Sequence, residues 1–91
     1  MSLDSGKTDI HSLLETVKTL QAEGNLLEAS ALWQEGIKMW PHDARIHQLA
    51  GDVLHTQGYL DQALISYQKS IKYSNNDPFL YFKLGVILQN R

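Results

Sequence analysis

Apolar residues recur along this chain at intervals of three and four, the spacing that gathers them on one face of an α-helix. Ile10, Leu13, Leu14, Val17 and Leu20 form the first such face, with Asp9 before it as a cap, Gly24 after it as a stop, and Asn25 suited to the turn. The pattern resumes at Leu26, Ala29, Leu32, Trp33, Gly36, Ile37 and Trp40, and Pro41 halts it. Asp43 then caps a helix predicted over 44–57 and Gly58 stops it. A further helix is predicted over about 60–73, closed by the turn Ser74-Asn75-Asn76-Asp77. Asp77-Pro78 opens a fifth, a capping acid followed by proline at the first helical position, where a missing N–H leaves nothing unpaired. The prediction is an all-α fold of five helices, four of them paired into two hairpins.

The chain also repeats itself. Residues 10–43 slide onto 44–77 without a gap and give the identities Leu20/Leu54, Gly24/Gly58, Leu26/Leu60, Ala29/Ala63, Gln34/Gln68, Ile37/Ile71, Lys38/Lys72 and Asp43/Asp77, with Trp33 over Tyr67. Gly85 and Leu88 start a third copy at the same interval after Gly51 and Leu54. Most matches are glycine, small or apolar positions, so the period is structural, and a fixed period of this size marks a stacked-repeat architecture. Gly51, Ala63 and Ser70 in one copy, and Ala29 and Gly36 in the other, are expected to let the two helices of a hairpin approach closely. Trp33, Tyr67, Leu20 and Leu54 then fill the remaining volume. Glycine inside a helix costs roughly 1 kcal/mol relative to alanine, so Gly36, Gly51 and Gly85 are each expected at a close contact.

At these residues the chain resembles the tetratricopeptide repeat (TPR) family, whose helix-turn-helix units put small residues at positions 8, 20 and 27 and large ones at 4, 7, 11 and 24. Repeat one, 10–43, supplies Leu13, Leu20, Ala29, Trp33, Gly36 and Pro41 to that frame. Repeat two, 44–77, supplies Gly51, Leu54, Ala63, Tyr67 and Ser70, and a partial third, 78–91, supplies Tyr81, Leu84, Gly85 and Leu88. Residues 1–9 read as a flexible tail, and 10–91 as the repeat domain. Thr16 and Val17 at positions 7 and 8, His47 at 4, Ala50 at 7 and Asn75 at the usual proline depart from the pattern and imply a looser first hairpin. The resemblance implies a right-handed superhelix of stacked antiparallel hairpins, non-catalytic, whose concave face holds a peptide or protein segment.

Carried over position by position, that face consists of His11, Leu14, Lys18, Gln21, Ala22, Arg45, Gln48, Asp52, His55, Thr56, Phe79, Phe82, Val86, Gln89 and Asn90. The core of the expected peptide site is Leu14, Lys18, Arg45, Gln48, Asp52, His55, Phe79, Phe82 and Val86: charge from Lys18, Arg45 and His55, apolar area from the two phenylalanines and Val86. A dicarboxylate clamp for a chaperone C-terminus needs lysine and asparagine at positions 5 and 9, and Leu14 with Lys18 do not supply it. The alternative function is a self-assembling scaffold. Phe79, Leu80, Tyr81, Phe82, Leu84, Val86, Ile87 and Leu88 make the fifth helix apolar on nearly every side, whereas the end of a repeat array is normally polar on its outer face. Tyr81, Leu84, Gly85 and Leu88 are therefore the expected oligomer interface, covered by a second copy in a homodimer or by a following helix in a longer protein.

Composition removes other classes. There is no cysteine, which excludes disulfides and thiolate chemistry. No apolar run approaches the roughly 20 residues of a membrane span, and the first residues lack the basic and apolar regions of a signal peptide, so a cytoplasmic location is the default expectation. Charge is uneven. Lys7, Lys18 and Lys38 face seven acids up to Asp43, and Arg45, Lys69, Lys72, Lys83 and Arg91 outnumber Asp52, Asp61 and Asp77 after it. No basic cluster forms, which argues against nucleic acid, helical-repeat RNA binding included. Gly6-Lys7-Thr8 echoes the end of a phosphate loop but lacks that loop's earlier glycine. Asp43 with His47, and Asp52 with His55, have helical spacing for two metal ligands each; with no third ligand they predict no metal site, and the histidines read as exposed polar decoration. No cofactor and no enzyme activity are expected.

Overall fold

The computed structural model describes residues 9–73 and 77–90. The expected tail before Asp9, with Gly6-Lys7-Thr8, lies outside these residues, as do Ser74, Asn75 and Asn76 of the expected turn and Arg91. Five helices follow in order: α1 (Ile10–Ala22), α2 (Leu26–Met39), α3 (Ala44–Gln57), α4 (Leu60–Lys72) and α5 (Pro78–Asn90), and the described residues contain no strand.

The repeat is written into the helix ends. Asp9, Asp43 and Asp77 stand at the same interval, and each carboxylate accepts a backbone N–H of its helix's first turn: Ser12 at 2.8 Å, Arg45 at 2.9 Å and Phe79 at 3.0 Å. At the far ends of α1 and α3, Gly24 and Gly58 take φ of 81° and 87°. Only glycine adopts that region freely, and the turn it makes lets Asn25 and Tyr59 donate their N–H groups to the carbonyls of Leu20 and Leu54 at 2.8 and 2.9 Å. One turn chemistry has been used twice.

The apolar faces meet in two connected clusters. Leu14, Val17, Ala29, Ile46, Leu49 and Val53 form the first, and Leu54, Ala63, Tyr67, Leu80 and Ile87 the second, with Trp33 packed against both. Each fully buried large side chain contributes about 1.5–3 kcal/mol. The second hairpin closes most tightly. A Cβ on Gly51 would lie 2.5 Å from the Tyr67 ring, so the ring sits directly on α3 backbone, and the Ser70 hydroxyl donates to the Ala44 carbonyl at 2.7 Å. In the first hairpin Val17 occupies the place of Gly51 and rules out that ring-on-backbone contact. There α1 and α2 pack less closely than α3 and α4 do.

Two expectations for the glycines are corrected. The tightest contact at Gly36 is between hairpins rather than within one: its Cβ would meet Ile46 of α3 at 2.7 Å before Leu13 of α1 at 3.0 Å. Among the described residues nothing lies within 4 Å of a Cβ placed on Gly85, because no described element packs over that side of α5. His47 is a third correction. It is 3% exposed rather than surface decoration, its Nε2–H donates to the Pro41 carbonyl at 2.7 Å, and its ring lies 5.2 Å from that of Tyr73. Pro41 lies in the turn between α2 and α3, and a buried imidazole satisfies its carbonyl.

Candidate functional site

On one side of the stack α1, α3 and α5 line a trough made of two adjoining hollows. The first, about 310 Å³, is lined by Leu14, Lys18, Gln21, Arg45, Gln48, Leu49, Asp52 and Asp77. The second, about 380 Å³, is lined by Gln21, Asp52, His55, Thr56, Tyr67, Phe82, Lys83 and Val86. Gln21 and Asp52 belong to both, so the two hollows adjoin between α1 and α5. Of the residues expected there, Lys18, Arg45, Gln48 and Asp52 line the first hollow and Asp52, His55, Phe82 and Val86 the second. Leu14 contributes from below, since it is 6% exposed and is part of the core. Phe79 does not line either hollow; with Pro78 and Phe82 it forms a separate apolar dent beside them.

Helical spacing explains why α5 can serve this trough and the core together. Phe79, Phe82 and Val86 lie along one side, and Leu80, Leu84 and Ile87 lie along the side packed into the second cluster. Tyr81, Gly85 and Leu88 lie along a third, which no described residue covers. Of the expected interface set, Tyr81 and Leu88 are 57% and 56% exposed and Gly85 is exposed, whereas Leu84 is half-buried against the core.

The polar groups of the trough are largely joined to one another. Asp52 accepts from the Tyr67 hydroxyl at 2.5 Å and from Lys83 Nζ at 2.8 Å, which ties α3, α4 and α5 together at one carboxylate, and Lys83 also lies 5.8 Å from the Tyr67 ring centre. Burial pushes the Tyr67 phenol pKa well up, and the bond to Asp52 pushes it further, so the phenol stays a donor. Gln48 Nε2 donates to Asp77 at 3.3 Å, and Gln21 Nε2 donates to Thr56 Oγ1 at 3.3 Å across α1 and α3. Arg45 binds Asp43 through Nε at 3.0 Å and Nη2 at 2.8 Å. That bond holds the Asp43 carboxyl below the usual carboxylate range and raises Arg45 in turn, so the charge of Arg45 is partly committed to its own helix cap. Lys18 is the least committed cation of the trough: its partner Glu15 is 3.8 Å away, and both side chains are about 60% exposed.

Sequence reasoning missed four contributors. Asp77 was legible as a cap and Tyr67 as filling its hairpin, neither as a wall of the trough, and Leu49 and Lys83 were not singled out at all. The signal for Lys83 was present: it is the lone charge in an otherwise uncharged α5 and opposite in sign to Asp52. Among the described residues no three histidine, aspartate or glutamate side chains gather as a metal site would require, and no helix is long and apolar enough to cross a membrane.

Residues 51–90 match the family model described as TPR repeat, and the five helices form an all-α fold of the tetratricopeptide helical-repeat type. No curated protein is similar enough to give a match. Repeats of this kind serve protein–protein interaction in general and are generally non-catalytic.

Proposed function

We propose that this chain of tetratricopeptide-type repeats is an adaptor that binds an extended segment of another protein along the trough between α1, α3 and α5. The observation that carries the reading is the adjacency of the two hollows, which share Gln21 and Asp52 as walls and together offer a seat for a segment several residues long. Side chains of different character stand at the two ends of that seat. Lys18 at the α1 end is a cation held only by a long, exposed ion pair. Phe82 at the α5 end is 67% exposed and adjoins Val86. The matching segment carries an acidic side chain toward Lys18 and an apolar one toward Phe82, and the apolar anchor supplies most of its affinity.

The reading is tested by selecting binders from a displayed random-peptide library and measuring each by fluorescence anisotropy. Phe82→Ala and Lys18→Glu alter exposed side chains and leave the core intact. Selected peptides are expected to bind each variant at least tenfold more weakly, a difference of about 1.4 kcal/mol. Peptides that bind both variants as well as the unmodified protein would place recognition elsewhere and end the proposal.

A further inference from the structure

The second hollow of the trough has an ion pair in its wall. Lys83 Nζ of α5 meets Asp52 Oδ1 of α3 at 2.8 Å, and the two side chains keep 32% and 22% of their surface exposed, so the pair is reached from the hollow that both line. An ammonium has three N–H donors, and Asp52 takes one of them. Phe82, next to Lys83 in sequence and largely exposed, lines the same hollow. A segment that seats an apolar side chain on Phe82 therefore brings its neighbouring side chains within reach of Lys83.

The two charges of the pair are not equally committed. Asp52 accepts from the Tyr67 hydroxyl as well as from Lys83, whereas Lys83 has in Asp52 its single ion pair among the described residues. A carboxylate entering the hollow takes a second donor of the ammonium without breaking a bond inside the chain. A cation entering it has to share an acid that two donors already hold. The rest of the trough tips the balance the same way: Lys18 is loosely paired, while the other acid, Asp77, already accepts from Gln48 and from the Phe79 N–H. What limits the carboxylate is the like charge of Asp52 beside it.

We propose that Lys83 is a specificity-determining residue of the trough: it takes an acidic side chain of the partner segment close in sequence to the apolar anchor, and Asp52 weakens that contact in the unmodified protein. The inference rests on the trough reading and adds a second acid to the segment, beside the anchor rather than at the Lys18 end. Peptides selected from the displayed library on the unmodified protein are resynthesised with each Asp or Glu changed in turn to Asn or Gln, and binding is measured by fluorescence anisotropy. An acid beside the anchor is expected to couple to Lys83. The Lys83→Gln variant should bind the acidic peptide about fivefold more weakly, and its amide version as the unmodified protein does. Asp52→Asn keeps an acceptor for the Tyr67 hydroxyl, so it tests the proposal without loosening α3 from α4, and it should bind the acidic peptide about threefold more tightly. Selected peptides with no acid beside the anchor, an acidic peptide that Lys83→Gln binds undiminished, or an Asp52→Asn variant that binds it no more tightly would each overturn the proposal. Phe82→Ala separates the two readings. Where it weakens binding and Lys83→Gln does not, the trough reading stands and this one falls alone; where neither Phe82→Ala nor Lys18→Glu weakens binding, both fall.

Discussion

Trp33 and Tyr67 fill the same place in successive hairpins and have met opposite fates. The Tyr67 hydroxyl donates to Asp52, and that carboxylate also holds Lys83 of α5. The Trp33 Nε1–H is buried and finds no partner among the described residues, and the residue in the place of Asp52 is Lys18, a cation with donors only. A buried unpaired donor carries a desolvation cost of about 1–3 kcal/mol, whereas a donor bonded to a carboxylate contributes a comparable gain. Together with the seat that Gly51 offers Tyr67 and Val17 denies Trp33, this makes the second hairpin the firmer of the two. The consequence reaches the trough: its α3–α5 end is locked by one shared carboxylate, and its α1 end is held by a 3.3 Å bond between exposed side chains.

The comparison breaks most readily at Tyr67 itself. Tyr67→Ala should destabilise by about 3–5 kcal/mol, as removal of a fully buried aromatic does, and Trp33→Ala should cost less because Trp33 is only partly buried. Urea melts of the two variants measure this, and equal costs would show that the hairpins are equally firm. A smaller effect is expected from overpacking. Ala63→Leu, at a position with no exposure between α3 and α4, should cost about 1–3 kcal/mol, and Ala29→Leu less, the first hairpin having more room to adjust. An Ala63→Leu variant that melts unchanged would contradict the close packing of the second hairpin.

Smaller again is the polar link alone. Tyr67→Phe keeps the ring and removes the hydroxyl, and it should cost about 1 kcal/mol in the same urea melts, since Asp52 keeps Lys83 when it loses the phenol. The corresponding effect of pH follows from the raised phenol pKa. The folded state retains the Tyr67 proton above about pH 10, where the unfolded chain gives it up. The stabilisation is therefore full below about pH 10 and is lost as pH rises beyond it. Thermal melts above that pH should fall more steeply for the unmodified protein than for Tyr67→Phe, and parallel curves would refute the link.

Helix order, caps and stops were legible in the sequence because each rests on local chemistry: an aspartate before each of three helices, and a glycine at positive φ after two of them. That Lys18, Gln48, Asp52 and Phe82 share one side was expected from the resemblance to tetratricopeptide repeats, whose concave-face positions carry over to these residues. What was not legible depended on tertiary neighbours. His47 reads as polar until the Pro41 carbonyl is found beside it, and Lys83 reads as a stray cation until α5 is seen to pass Asp52. Gly85 looks like Gly51 in sequence and differs only in what covers it. Periodicity reports which residues share a face, and it is silent on what that face meets.

The central claim, that the trough is where a partner segment lies, is tested most directly by amide and side-chain NMR shifts as a library-selected peptide is titrated into the isotopically labelled protein. The account predicts that the largest changes fall at Lys18, Gln21, Gln48, Asp52, Phe82 and Val86, with α2 and the outer side of α4 unmoved. Largest changes along α2, or around the exposed Ile65 of α4, would contradict it.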